Sequence, residues 1–149
     1  MQSLFSKEGL RSISERLDQL QANGTPQWGK MNAGQMLAHV RMAMEVPLGT
    51  HKLPPMFIMK FLGGMIRRQI LSDKPTSKNS PTAASLKVGD PRDFTREKAA
   101  LLQTLEKFSA AGRAGQLPDK HPYFGKLSPD EWDRFQQKHL DHHLGQFGV

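Results

Sequence analysis

Apolar residues recur at helical spacing along most of this chain, and the alternation typical of β-strands is scarce. The first apolar set comprises Leu10, Ile13, Leu17 and Leu20. Ser6 is a suitable N-cap before this set, and Gly24 is a suitable helix stop after it. The pattern predicts an amphipathic helix over about residues 6–22.

A second helix is predicted over about residues 33–46. Asn32 is its expected N-cap, and Pro47 ends it because proline cannot continue a helix. The apolar side of this helix carries His39 together with Met36 and Val40. The imidazole of His39 is therefore expected to face inward.

The third apolar segment follows Pro54 and Pro55 and is broader than the first two. Its apolar residues are Phe57, Ile58, Phe61, Leu62, Met65 and Ile66. They cover about half of the helical circumference and leave a narrow polar stripe of Lys60, Arg67 and Arg68. Such breadth predicts a helix that is buried on two sides.

A long polar stretch from Leu71 to Arg92 precedes two further helices. Loops of this length often cover a functional site, so this one is expected to overlie one. The fourth helix is predicted over about residues 94–111, with Gly112 ending it. The last helix begins at the capping-box sequence Ser128-Pro129-Asp130-Glu131, which fixes its register.

That register brings chemically active side chains to one face of the last helix. At about 100° per residue, the face carries Trp132, Phe135, His139, His143 and Gln146. His139 and His143 are four residues apart, so their imidazoles can converge on one cation. A metalloprotease would need a glutamate after the first histidine, and Leu140 stands there instead.

Two histidines alone would bind a metal weakly, and His39 is the histidine that lies inside another predicted helix. Three neutral imidazoles would leave coordination positions open for water or a substrate, as in catalytic metal sites. His39, His139 and His143 are therefore predicted as metal ligands. The alternative is that they are hydrogen-bonded packing residues near one end of the helices.

Three further residues are candidates for supporting roles near this site. His142 lies beside the ligand pair and is either a supporting residue or a surface residue. Gln146 shares the face of the two histidines and is a pocket candidate. His121, which precedes Tyr123 and Phe124, either packs in an aromatic plug or supplies a proton.

Composition narrows the classes of protein that remain. The 149 residues suit one domain over residues 1–149. The absence of cysteine excludes disulfide scaffolds, cysteine-ligated zinc modules and cysteine nucleophiles. The net charge of +7 suits a nucleic-acid partner, but the basic residues are spread over several segments, which does not favour one.

The first residues and the most apolar stretch give expectations about location. The first residues carry no secretory signal pattern, so a cytoplasmic location is expected. The most apolar stretch, residues 53–66, is shorter than the roughly 20 residues that span a bilayer. No membrane partner is expected, and this stretch is predicted to be a buried or interfacial helix.

Three segments together resemble the DinB-like superfamily of metal-binding four-helix bundles, closest to an uncharacterised branch of it. They are residues 28–39 (WGKMNAGQMLAH), 121–132 (HPYFGKLSPDEW) and 139–149 (HLDHHLGQFGV). The resemblance implies an up-down-down-up bundle with a long crossover loop and short extra helical segments. It also implies that His39, His139 and His143 bind a divalent ion, usually zinc or nickel.

Two functional hypotheses follow, the first from the resemblance and the second as an alternative of another class. Characterised relatives include metal-dependent hydrolases and S-transferases that use a low-molecular-weight thiol, and they are commonly homodimers. The first expectation is therefore a metal-dependent enzyme acting on a small-molecule substrate. The second is a non-catalytic dimeric protein with a structural metal, whose third helix forms the interface.

Overall fold

The computed structural model describes residues 2–78, 80 and 82–149. Its α-helices are α1 (Lys7–Gln19), α2 (Ala33–Glu45), α3 (Met59–Leu71), α4 (Phe94–Arg113) and α5 (Pro129–Gly145). A 3-10 turn spans Ala84–Leu86, and two short antiparallel strands are β1 (Lys120–His121) and β2 (Gly125–Lys126). The protein is thus mostly helical, as the sequence predicts. None of the helices in these ranges is long and apolar enough to cross a membrane.

Side-chain caps explain where most of the helices begin. The side chain of Ser6 accepts a hydrogen bond from the backbone N–H of Gly9 at the start of α1. Asn32 and Gln35 form a reciprocal capping box at the start of α2. Ser128 forms the same arrangement at the start of α5, so the register predicted for the last helix is confirmed.

The core lies where α2 packs against α4 and α5, while α1 packs against α4 and α3 against α5. Its largest fully buried side chains include Leu17, Met36, Leu105, Phe108, Trp132 and Leu140. A partly buried ion pair also joins α2 to α4, because Arg41 donates from Nε to Glu97 Oε2 at 2.9 Å. The two helices that carry the candidate metal ligands, α2 and α5, are therefore in direct contact.

The prediction that Gly112 ends the fourth helix is wrong, because α4 continues to Arg113. The glycine instead allows α4 to pack closely against Phe5, which lies just before α1. A β-carbon at position 112 would lie 2.0 Å from a ring carbon of Phe5. Gly112 does lie near the end of α4, but the residue type is explained by the nearby Phe5 ring and not by the end of the helix.

The prediction that the third helix is buried on two sides is also wrong. Gly63 is the buried residue of α3, whereas Phe57 and Phe61 are each 71 % exposed. The helix contacts α5 and β2 on one side, and its broad apolar surface faces outward. Periodicity identifies the residues that share a face, but it does not show whether another element covers that face.

Candidate metal centre

The three histidines predicted as ligands come together between α2 and α5. His39 on α2 and His143 on α5 are buried, and His139 on α5 is partly buried. One ring nitrogen from each lies within 4.8 Å of the others. The ring centroids are 5.0 Å apart for His39 and His139, and 4.7 Å apart for each of the other two pairs. This spacing allows the three imidazoles to hold one metal ion.

Hydrogen bonds fix which nitrogen of His39 and of His143 carries the proton. His39 Nδ1 lies 2.7 Å from the carbonyl oxygen of Leu86, which can only accept, so Nδ1–H donates. His143 Nδ1–H donates to Gln146 Oε1 at 2.8 Å. The amide of Gln146 is itself oriented, because its Nε2 donates to the Trp28 carbonyl at 2.7 Å. In their neutral forms both imidazoles therefore present an unprotonated Nε2.

His139 has an incomplete set of hydrogen-bond partners. Its Nε2 lies 3.0 Å from His39 Nε2, and because the proton of His39 is on Nδ1, the hydrogen bond requires a proton on His139 Nε2. His139 Nδ1 is then a buried acceptor with no partner among the described residues. A buried polar atom without a partner is rare in native proteins. The Nε2 atoms of His39 and His139 face each other at 3.0 Å, where a cation would replace the single shared proton. With the third histidine nearby, the residues present fit a divalent-cation site.

Burial keeps these imidazoles in the neutral form that binds metals. It lowers the pKa of His39, and it lowers the pKa of His139 well below the usual value of 6.5. Burial also lowers the pKa of His143 to about 3, with the charge of His39 adding to the effect. The cause is that an imidazolium loses its hydration when it is enclosed. Deprotonation of the ligands thus costs little at neutral pH.

The other predicted residues lie at different distances from this cluster. Gln146 is in direct contact with His143, as described above. The ring of His142 is half-buried between Trp28 and His143, at centroid distances of 5.6 and 5.0 Å. His142 also lines an open groove beside α5 together with Lys138. It therefore lies next to the cluster without pointing a ligand atom into it.

His121 packs in the aromatic plug. Its ring stacks on Phe124 at 4.0 Å, and its Nδ1 accepts a hydrogen bond from the Tyr123 N–H at 3.0 Å. Phe135 stands between His121 and His139, with centroid distances of 5.8 and 6.2 Å to their rings. Of the two roles open for His121, the geometry favours packing over proton supply.

We expect His121 to make the protein less stable in acid. Burial lowers its pKa to about 4, whereas the unfolded chain keeps a value near 6.5. As the pH falls from 6.5 to 4, only the unfolded chain takes up a proton at this position, so the free energy of unfolding decreases. The loss from this residue is about 3 kcal/mol by pH 4.

Urea unfolding of the wild-type protein and of His121→Asn at several pH values measures this contribution. The asparagine can still accept from the Tyr123 N–H but does not titrate. The stability of the variant should fall less steeply below pH 6.5, by up to about 1.4 kcal/mol per pH unit. Equal slopes for the two proteins would show that His121 is not protected from protonation by the fold.

Two partners in this site and one buried glutamine of α5 were not predicted from the sequence. The carbonyls of Leu86 and Trp28 carry no side-chain signal, so no sequence pattern identifies them. Gln136 is fully buried one turn before His139, and its Nε2 donates to the Ala43 carbonyl at 3.3 Å. The register of α5 predicts that Gln136 lies on the core face, because it follows Trp132 by four residues. The predicted covering loop does reach the site, since Leu86 lies between α3 and α4.

Comparison with known families gave one result. Residues 3–148 match the family model described as "Protein of unknown function (DUF1569)". Comparisons with curated proteins and with solved structures gave no match. The family description names neither an activity nor the DinB-like superfamily. Because the match extends over nearly the whole chain, the protein belongs to the DUF1569 family.

Proposed function

We propose that this protein binds one divalent transition-metal ion through His39, His139 and His143 and uses it in catalysis on a small molecule. The observation that carries the proposal is the convergence of the three ring nitrogens within 4.8 Å. Zinc and nickel are the first candidates, because imidazole is a good ligand for both. Three protein ligands leave at least one coordination position for water or substrate, which is the usual arrangement of a catalytic site.

The chain's own residues have separate tasks in this proposal. The carbonyl of Leu86 orients His39, and the amide of Gln146 orients His143, so that both Nε2 lone pairs are available. Such outer partners also raise the basicity of the ligands. The surrounding core excludes water from His39 and His143 and keeps them neutral. The site is thus organised before any ligand arrives.

When bound, the metal would supply Lewis-acid chemistry, either lowering the pKa of a water for hydrolysis or binding a small thiol as its thiolate. The two reactions differ in the cosubstrate, which is a low-molecular-weight thiol only in the second. A small molecule would enter from the groove beside α5, which His142 lines 5.0 Å from the ring of His143. Both reactions are metal-dependent transformations of a small molecule, and the proposal includes both.

The proposal includes the fold. A histidine from the second helix and a pair from the last helix is the ligand arrangement that the DinB-like resemblance implies. Here α2 carries His39 and α5 carries the pair, and the two helices pack together. We therefore assign the chain to a branch of that superfamily, with α1, α2, α4 and α5 as the up-down-down-up bundle and α3 as the added segment.

Metal analysis of untagged protein, purified without chelators or nickel resin, tests the proposal directly. We expect about one equivalent of zinc, nickel or another first-row metal per chain. Protein stripped with a chelator should take up one equivalent of zinc or nickel in competition with a chromophoric indicator. Failure of the stripped, folded protein to bind either metal would contradict the proposal and leave the histidines as packing residues.

A further inference from the structure

The outward side of α3 and of the turn before it is a continuous apolar surface. We call this surface the α3 apolar face, and its residues are Met56, Phe57, Ile58, Phe61, Leu62 and Met65. Phe57 and Phe61 are each 71 % exposed, and Met65 is 61 % exposed. The rings of Phe57 and Phe61 contact each other at 5.6 Å, so these two exposed rings form one patch. Exposed apolar surfaces of this kind mark interaction sites.

The α3 apolar face cannot turn inward, because the opposite side of the helix is fixed. Gly63 lies about 180° around the helix from the midpoint of Phe61 and Met65. A β-carbon at Gly63 would be 2.1 Å from the Tyr123 carbonyl oxygen, so the helix approaches the hairpin as closely as a backbone allows. Arg67 adds a hydrogen bond from Nε to the Lys126 carbonyl at 2.8 Å. These contacts set the orientation of α3.

Positive charge borders the α3 apolar face. The sequence from residue 46 to residue 72 contains no aspartate or glutamate. Lys52, Lys60 and Arg68 are exposed, and none of them forms a salt bridge within the described residues. The Lys60 ammonium lies 5.1 Å from the centre of the Phe57 ring. Lys60 therefore flanks the aromatic residues, and the exposed cations of this segment have no acidic partner within the described residues.

The charge pattern distinguishes between possible occupants of this surface. In a symmetric contact with a second copy, the same patch would meet itself, so these cations would face cations without compensating acids. An anionic lipid surface complements both features of this face. Its headgroups attract lysine and arginine, and the boundary of its acyl chains accommodates phenylalanine and methionine. A helix with an apolar face and basic flanks is the usual form of an interfacial membrane anchor.

We propose that the α3 apolar face docks on an anionic lipid membrane, with Phe57, Phe61 and Met65 inserted at the headgroup boundary. The expectation of no membrane partner was based on the lack of a spanning segment, and lying on the surface requires none. The chain's net charge of +7 acts in the same direction. This proposal does not depend on the metal site, since α3 supplies none of its candidate ligands.

Vesicle flotation of the full-length protein tests the proposal. We expect partitioning onto phosphatidylcholine vesicles that contain phosphatidylserine to exceed partitioning onto phosphatidylcholine alone by about tenfold or more, and to fall with added salt. The double variant Phe57→Ser, Phe61→Ser should lose about tenfold or more of this binding. Since both rings are exposed, its circular dichroism spectrum and melting temperature should match the wild type.

A charge-matched pair of variants separates local from general electrostatics. Lys60→Gln removes a cation next to Phe57, and Lys107→Gln removes an exposed cation on α4. Lys60→Gln should weaken binding to the anionic vesicles more than Lys107→Gln does. Equal effects, unchanged binding by the double serine variant, or no preference for anionic vesicles would each overturn the proposal. So would a dimer in sedimentation velocity that the double serine variant abolishes, because a second copy would then occupy the face.

Discussion

Replacing His139 by alanine is expected to remove high-affinity metal binding from the folded protein. The substitution leaves two of three imidazoles, and His39 Nε2 loses the neighbour that lies 3.0 Å away. The affinity for zinc should fall by more than the roughly 10–100-fold that follows loss of an outer partner. Indicator competition on the stripped protein measures the change, and circular dichroism with thermal melting shows whether the variant is folded.

Three further variants make this result specific. His139→Gln keeps a polar side chain of similar length and should lose metal in the same way, which guards against an unfolded alanine variant. His142→Ala is the matched control, because His142 is the adjacent histidine and lies outside the cluster. Gln146→Leu should bind zinc less tightly than His142→Ala and more tightly than His139→Gln, with an affinity about 10–100-fold below that of the wild type. Equal metal binding by the wild type and His139→Gln would contradict the proposed ligand set.

The same variants distinguish an enzyme from a protein with a structural metal. If the metal only supports the fold, loss of His139 lowers the melting temperature of the zinc-loaded sample to that of the stripped wild type and changes no turnover. If the site is catalytic, hydrolysis or thiol transfer by the wild type requires the metal and is lost in His139→Gln. Assays with and without an added small thiol separate the two reactions.

Trp132→Ala is expected to have the largest effect on folding, with a loss of about 3–5 kcal/mol in the free energy of unfolding. Trp132 is completely buried, and its Nε1 donates to the Pro118 carbonyl at 2.7 Å. Its ring also packs against His121 at 5.3 Å. The substitution leaves a large cavity and an unpaired carbonyl, and total stabilities are only about 5–15 kcal/mol.

Urea unfolding followed by circular dichroism measures this loss, and two variants serve as controls. Trp132→Phe keeps most of the volume but not the hydrogen bond, so it should be destabilised less than the alanine variant. Trp28→Ala changes the same residue type at a half-buried position and should cost less than Trp132→Ala. A larger loss for Trp28→Ala would show that the core is not centred on Trp132.

The α3 segment shows where prediction from the sequence ends. Its apolar residues were assigned to one broad surface, and the structure places all of them except Ile66 on one exposed surface. The prediction that this surface is buried was wrong, because α3 packs on the fold through the opposite side, where Gly63 lies against the Tyr123 carbonyl. Whether an apolar face is covered depends on the partners that the rest of the chain brings, and no local pattern contains that information.

The features that depend only on residues within about one helical turn could be predicted from the sequence. The capping residues Ser6, Asn32 and Ser128 set the helix starts, and the spacing of His139 and His143 put both on one face of α5. These follow from backbone hydrogen bonds and helical geometry, which act over three or four residues. Resemblance and helical position together pointed to His39 as their companion.

The contacts between distant segments depend on how the helices pack, and no local pattern predicts them. The packing of α2 on α5 brings His39 within 3.0 Å of His139, although 100 residues separate them. It also brings the Leu86 and Trp28 carbonyls to the imidazole of His39 and the amide of Gln146. These partners are backbone atoms, which every residue type carries, so their positions follow from how the helices and loops pack and not from side-chain identity.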